Sequence, residues 1–97
     1  MKVLKFGSIG CIGCVVMKPL WAEIEKENLW LATEFIDADE NPEKVREWQV
    51  KDLPEFIFLD KNGAEIERLM GEVEKEILVK KINELRARGF FAKIHEL

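Results

Sequence analysis

The sequence predicts an α/β domain with the order βαβαββα, a central mixed four-stranded sheet flanked by helices. Three observations carry that prediction. The chain has 97 residues, the size of one ordinary domain. Short apolar runs alternate with stretches of helical periodicity, so helices must cover a sheet. The last two strand-like runs are joined by Asp60-Lys61-Asn62-Gly63, whose turn chemistry predicts an antiparallel hairpin. The leading βαβ unit requires a parallel pair with a right-handed crossover, so the hairpin makes the sheet mixed. Without repeat, linker or low-complexity stretch, residues 1–97 read as a single domain.

Val3-Leu4-Lys5-Phe6 is an apolar run closed by Gly7-Ser8-Ile9-Gly10, a buried strand ending in a glycine-rich turn. From Ile12 the positions Val15, Val16, Leu20, Trp21 and Ile24 recur at helical spacing, with Glu23, Glu25, Lys26 and Glu27 on the outer face. Cys11 therefore begins a helix that Pro19 kinks internally and Asn28 ends. Residues 31–36 form the second strand and residues 37–40 the loop leaving it. Asn41 is a natural N-cap, Pro42 suits the first helical position, and Val45 and Trp48 share one face. Leu53-Pro54 leads into a strand at 55–59, which pairs with another at 64–69. After Gly71, Val73, Ile77, Leu78, Ile82 and Leu85 mark an amphipathic helix that Gly89 terminates. Phe90, Phe91, Ile94 and Leu97 then read as a further turn docked on the body. Trp21 and Trp48 lie among Val, Leu and Ile on their helices and read as core.

Hydrophobic residues make up 47% of the chain, enough for a core and too many for a disordered segment. Fifteen basic against nineteen acidic side chains leave a net charge of −4, which argues against a general nucleic-acid binder. No apolar run approaches the roughly 18 residues a bilayer span needs, and residues 1–5 lead into glycines and cysteines instead of a signal-peptide core. The expectation is a cytoplasmic monomer without membrane or nucleic-acid partners.

The chemistry concentrates in Cys11-Ile12-Gly13-Cys14. Unpaired N–H groups and aligned peptide dipoles at a helix start lower a thiol pKa, which makes Cys11 the nucleophile. Two intervening residues place Cys14 at i+3, in reach of a mixed disulfide on Cys11, as the resolver. CxxC also builds half of a zinc site, but the remaining inventory is the single His95 in a terminal segment, so no metal is assigned. Two other classes compete with a dithiol enzyme: a metal-binding CxxC module holding copper or a dimer-bridged iron–sulfur cluster, and a redox-inactive interaction domain.

The chain resembles the thioredoxin family over nearly its whole length. Cys11 to Cys14 looks like the family's redox motif, Pro19 falls at its kinking proline, and residues 35–42 look like its "vDvDenp" segment. Leu53-Pro54 is similar to its cis-proline, followed by residues 56–63 and Gly71. The resemblance implies a small thioredoxin/glutaredoxin-like dithiol oxidoreductase that reduces protein disulfides through a redox-active Cys11–Cys14 disulfide. It implies no bound cofactor and recharging by a thioredoxin-reductase-like flavoenzyme using NADPH. It also implies a cis Pro54 against the cysteines, with Leu53, Pro54, Met70 and Gly71 forming the substrate groove. The sequence departs from the pattern in three places. Gly10 replaces the tryptophan before the first cysteine, Ile12-Gly13 replaces Gly-Pro, and Lys5 stands where thioredoxins bury an acid near the second cysteine. An amine near the thiols would tune their pKa; an amine led to solvent or a carboxylate would have no bearing on them.

Overall fold

Four strands pair in the order β2-β1-β3-β4. The structure is a computed structural model that describes the backbone of residues 1–95 and the side chains of residues 1–89. Its elements are β1 (Lys2–Gly7), α1 (Ile12–Glu27), β2 (Ala32–Asp37), α2 (Pro42–Glu47), β3 (Glu55–Leu59), β4 (Glu65–Met70) and α3 (Lys75–His95). β1 is parallel to β2 and antiparallel to β3, and β3 is antiparallel to β4. The mixed sheet and the βαβαββα order are those the sequence predicts.

Period-two alternation sorts the strand residues into two cores. Val3, Phe56 and Phe58 face α1 and α3, packing with Met17, Trp21, Ile24, Leu78, Ile82 and Leu85. Leu4, Phe6, Ile36, Ile57 and Leu59 face the other way, against Val45, Trp48, Val50 and Leu53. The larger core binds α1 to the sheet, and α1 carries the cysteines at its start.

The hairpin turn is closed by Asp60, whose Oδ1 accepts from the backbone N–H of Asn62 at 2.8 Å and of Ala64 at 3.0 Å. Gly63 takes φ +84° there, in the region that favours glycine. Asn41 precedes α2 as expected, but its side chain makes no cap bond; its Nδ2 donates backwards to the Asp37 carbonyl at 2.9 Å.

Gly89 does not terminate α3, which continues to His95. A glycine costs a helix only about 1 kcal/mol relative to alanine, and here it stands in a run containing Arg86, Ala87, Arg88, Ala92 and Lys93 with no proline beyond. The expected docking of Phe90, Phe91, Ile94 and Leu97 lies outside the described side chains. Among the described residues, no helix is long and apolar enough to cross a membrane.

Candidate active site around the Cys11–Cys14 disulfide

β1 runs out at Gly7, and the following turn delivers the chain to the start of α1. Cys11 stands at the N-cap with extended φ and ψ of −96° and 112°, and its Sγ accepts from the Cys14 N–H at 3.1 Å. This places the first thiol among the unpaired amides of a 16-residue helix whose first turn holds no acidic residue. Nothing in that turn competes with a developing thiolate. Cys11 and Cys14 are joined as a disulfide, their Cα atoms 5.2 Å apart.

Both cysteines are half-buried, so what separates them is contact rather than exposure. Cys14 packs inward: a Cβ built on Gly7 would meet its Sγ at 3.1 Å and the Phe35 ring at 3.1 Å. Cys14 also lines a cavity of about 400 Å³ together with Lys5, Trp21, Phe35, Pro54 and Phe56, and Cys11 does not.

The Leu53–Pro54 peptide bond is cis. The Pro54 ring lies against the motif, since a Cβ on Gly13 would meet Pro54 Cδ at 3.0 Å and Glu72 Cγ at 3.4 Å. Glycine between the cysteines is thus what lets α1 and the proline loop meet. Gly71 donates its N–H to the Pro54 carbonyl at 2.8 Å, adopts φ +80°, and has open space where a side chain would project. Met70 is exposed beside it, whereas Leu53 turns away and packs into the α2-side core. Of the four expected groove residues, Pro54 lies against the cysteine motif, Gly71 is hydrogen-bonded to Pro54 with Met70 exposed next to it, and the Leu53 side chain is in the opposite core. Exposed apolar side chains rim the site: Ile9, Ile12, Val15 and Phe35.

Lys5 is largely buried, and its amine is led to a carboxylate. Its Nζ pairs with Glu25 of α1 and lies 5.6 Å from the Trp21 ring centroid. Glu25 therefore belongs to the inward side of α1, correcting its assignment to the outer face. Burial alone would raise the Glu25 carboxyl, but hydrogen bonds from Lys5 and Thr33 and the Lys5 charge hold it below its ordinary value. The spacing Cys14, Lys18, Trp21, Glu25 follows one helical stripe and could have revealed this. A second charge absent from the sequence expectations adjoins Pro54. Glu55 is 1% exposed and accepts from Arg68 Nη1 at 2.7 Å, and Arg68 also holds Glu65.

Residues 1–84 match the family model described as Thioredoxin. The chain belongs to the thioredoxin family. Thioredoxin H5 of Oryza sativa subsp. japonica is 41% identical over 69 residues, covering 71% of this chain and 50% of that protein. Thioredoxin-1 of Caenorhabditis elegans is 33% identical over 86 residues, covering 89% of this chain and 74% of that protein. Among solved structures, thioredoxin 1 of Thermosipho africanus superposes with a TM-score of 0.79 at 30% identity, covering 90% of this chain and 96% of that one. Thioredoxin NaTrxh from Nicotiana alata gives 0.79 at 31% identity, covering 86% and 70%. Against several plant thioredoxins the chain spans only half to three-fifths of the relative's length. Among the described residues, no group of three or more His, Cys, Asp or Glu side chains is placed to hold a metal ion.

Proposed function

We propose that the chain is a dithiol oxidoreductase that reduces disulfides in protein substrates. What supports this most directly is the cysteine pair at the start of α1, flanked by Pro54 and by the open space at Gly71. In the reduced protein the Cys11 thiolate attacks one sulfur of a substrate disulfide. The substrate S–S bond breaks, its second sulfur leaves as a thiolate that takes up a proton, and a Cys11–substrate mixed disulfide forms. Cys14 gives up its proton and attacks the Cys11 sulfur, which releases the second substrate thiol and leaves the Cys11–Cys14 disulfide. Two electrons pass to the substrate without a bound cofactor. The backbone beside Pro54 and Gly71 offers an extended substrate segment a place to lie, with Met70 at its border. Recharging falls to a flavoenzyme of the thioredoxin-reductase kind drawing on NADPH, with the reducing cytoplasm as the compartment.

The test is the order of reaction at the two thiols. Limiting alkylating agent near neutral pH should modify Cys11 first, and Cys14→Ser should accumulate a mixed disulfide with a protein substrate while losing turnover. Preferential alkylation of Cys14, or full turnover without it, would overturn the division into attacking Cys11 and resolving Cys14.

A further inference from the structure

An ammonium group on a central strand is costly unless it is paired. Lys5 sits on β1 in register with Phe35 of β2 and Phe56 of β3, and only 17% of its side-chain surface is exposed. Glu25 pairs with it and also accepts from Thr33 Oγ1 at 2.8 Å. Two observations orient this pair relative to the disulfide. Gly7 shares the Lys5 face of β1 about 7 Å further along, and Cys14 Sγ stands over Gly7. Lys5 and Cys14 also line one cavity whose walls are largely apolar, including Val15, Trp21, Phe35 and Phe56. Glu25 lies about 16 Å beyond Cys14 along the axis of α1 and is not among the residues lining that cavity. Of the two members of the pair, it is the cationic residue that shares the cavity with Cys14.

We propose that the Lys5–Glu25 pair is an oriented dipole that sets the reduction potential of the Cys11–Cys14 couple. Lys5 is the positioning residue that favours a thiolate at Cys14, and Glu25 attenuates it. The inference rests on the dithiol reading above. Reducing the disulfide takes two electrons from a donor dithiol, which becomes a disulfide, and two protons, or one where a thiolate persists. Stabilising that thiolate stabilises the reduced protein, so a positive charge nearby raises the potential. The other charged groups around the sulfurs are few. Lys18 of α1 and Asp37 of β2 line the cavity, β3 contributes only apolar walls, and Glu72 lies against Gly13. Lys18 is exposed, and its charge is screened by solvent.

Two substitutions that break the same ion pair should therefore act in opposite directions. Lys5→Met removes the cation and leaves a carboxylate held by Thr33, which disfavours the thiolate. Glu25→Gln leaves the cation uncompensated, which favours it. A unit charge roughly 10 Å away at an effective dielectric near 20 moves an equilibrium about tenfold, less where water enters. The experiment equilibrates each full chain with dithiothreitol at fixed ratios of its dithiol and disulfide forms, and follows thiolate absorbance against pH. Lys5→Met should shift the couple toward the oxidised protein by about threefold to tenfold, and tenfold is about 30 mV for two electrons. Glu25→Gln should shift it the other way, and Lys5→Arg should stay near wild type. If Lys5→Met does not fold, Glu25→Gln decides alone. Shifts of one sign in both variants, no shift in Glu25→Gln, or an equal shift in Lys18→Met would each overturn the dipole. A wild-type protein that fails to exchange with dithiothreitol would instead remove the dithiol reading itself, which separates the two failures.

Discussion

Lys5 and Glu55 are charged strand residues on opposite faces of the sheet, and the two are handled differently. On the α1 and α3 side, Lys5 pairs with Glu25 beside a cavity that also contains Cys14. On the α2 side, Glu55 is almost fully buried and bound by Arg68, which holds Glu65 in two further hydrogen bonds and reaches toward the Gln49 carbonyl. Arg68 is held above its ordinary pKa first by its hydrogen bond to Glu65, against the opposing effect of burial, and then by the charges of Glu65 and Glu55. That network is closed: its planar donor group is spent on β3, β4 and the loop from α2. The Lys5 pair is open on one side. A closed ion pair fixes structure, whereas an open one projects its field into whatever shares its cavity, in this protein a redox disulfide.

The largest effect that could break this comparison is on stability. Arg68→Met strips Glu55 of its cation in a nearly inaccessible place, and such uncompensated burial costs about 3 to 5 kcal/mol. For a chain of this size that is a fall in melting temperature of roughly 12 °C or more. Lys5→Met should cost under about 1 kcal/mol, because Glu25 is a third exposed and keeps Thr33 as a partner. Thermal unfolding of the two variants side by side tests the contrast. Equal losses would mean that the Lys5 pair is as structural as the Arg68 network.

Two glycines that meet Pro54 differ in the same sense. Gly71 has open space around it but a positive φ of +80°, so Gly71→Ala should cost about 1 to 2 kcal/mol of backbone strain. Gly13 lacks such strain, but a Cβ there meets the Pro54 ring at 3.0 Å, a contact with little room to give. Gly13→Ala should therefore slow disulfide exchange severalfold with a smaller stability loss, by prising α1 from the proline loop. Exchange rates and melting temperatures measured on both proteins would rank them, and faster loss of exchange in Gly71→Ala would reverse the assignment.

Much of this fold is legible in the sequence because it is local. Cys11 and Asn28 bound α1 where the helical periodicity from Ile12 places its ends, and the strand at 55–59 falls where its aromatic and branched residues place it. Gly89 misled because a single glycine is a weak helix breaker when good helix formers flank it. The candidate site divides in the same way. The cysteines and Pro54 stand in recognisable motifs, but Glu25 and Glu55 acquire their importance only from distant partners. Twenty positions separate Lys5 from Glu25, and thirteen separate Glu55 from Arg68. Composition assigns acidic residues to solvent by default. Only the sheet register and the packing of α1 bring these two against their cations.

The smallest expected effect, and the most diagnostic of how the Lys5 pair is held, is its dependence on acid. The folded-state pKa of Glu25 lies below the ordinary 4.5, since the Lys5 and Thr33 hydrogen bonds and the Lys5 charge outweigh burial. The unfolded chain therefore takes up its proton first as pH falls. The contribution of Glu25 is complete above about pH 4.5 and is lost as pH drops through the lower folded value. Glu34 on edge strand β2 is also held below its ordinary value, chiefly by its hydrogen bond from Lys2, and is present in every variant as an internal reference. Urea midpoints taken from about pH 6 down to about pH 3 should fall in the wild type and fall less steeply in Glu25→Gln. The difference should be less than about 1 kcal/mol, given the partial exposure of the pair. Salt should flatten the Glu34 contribution more than that of Glu25, because Glu34 pairs at the surface and Lys5 lies beneath α1. An acid slope in Glu25→Gln equal to that of the wild type would mean that the carboxylate is not held by Lys5, and the oriented pair would have no anionic end.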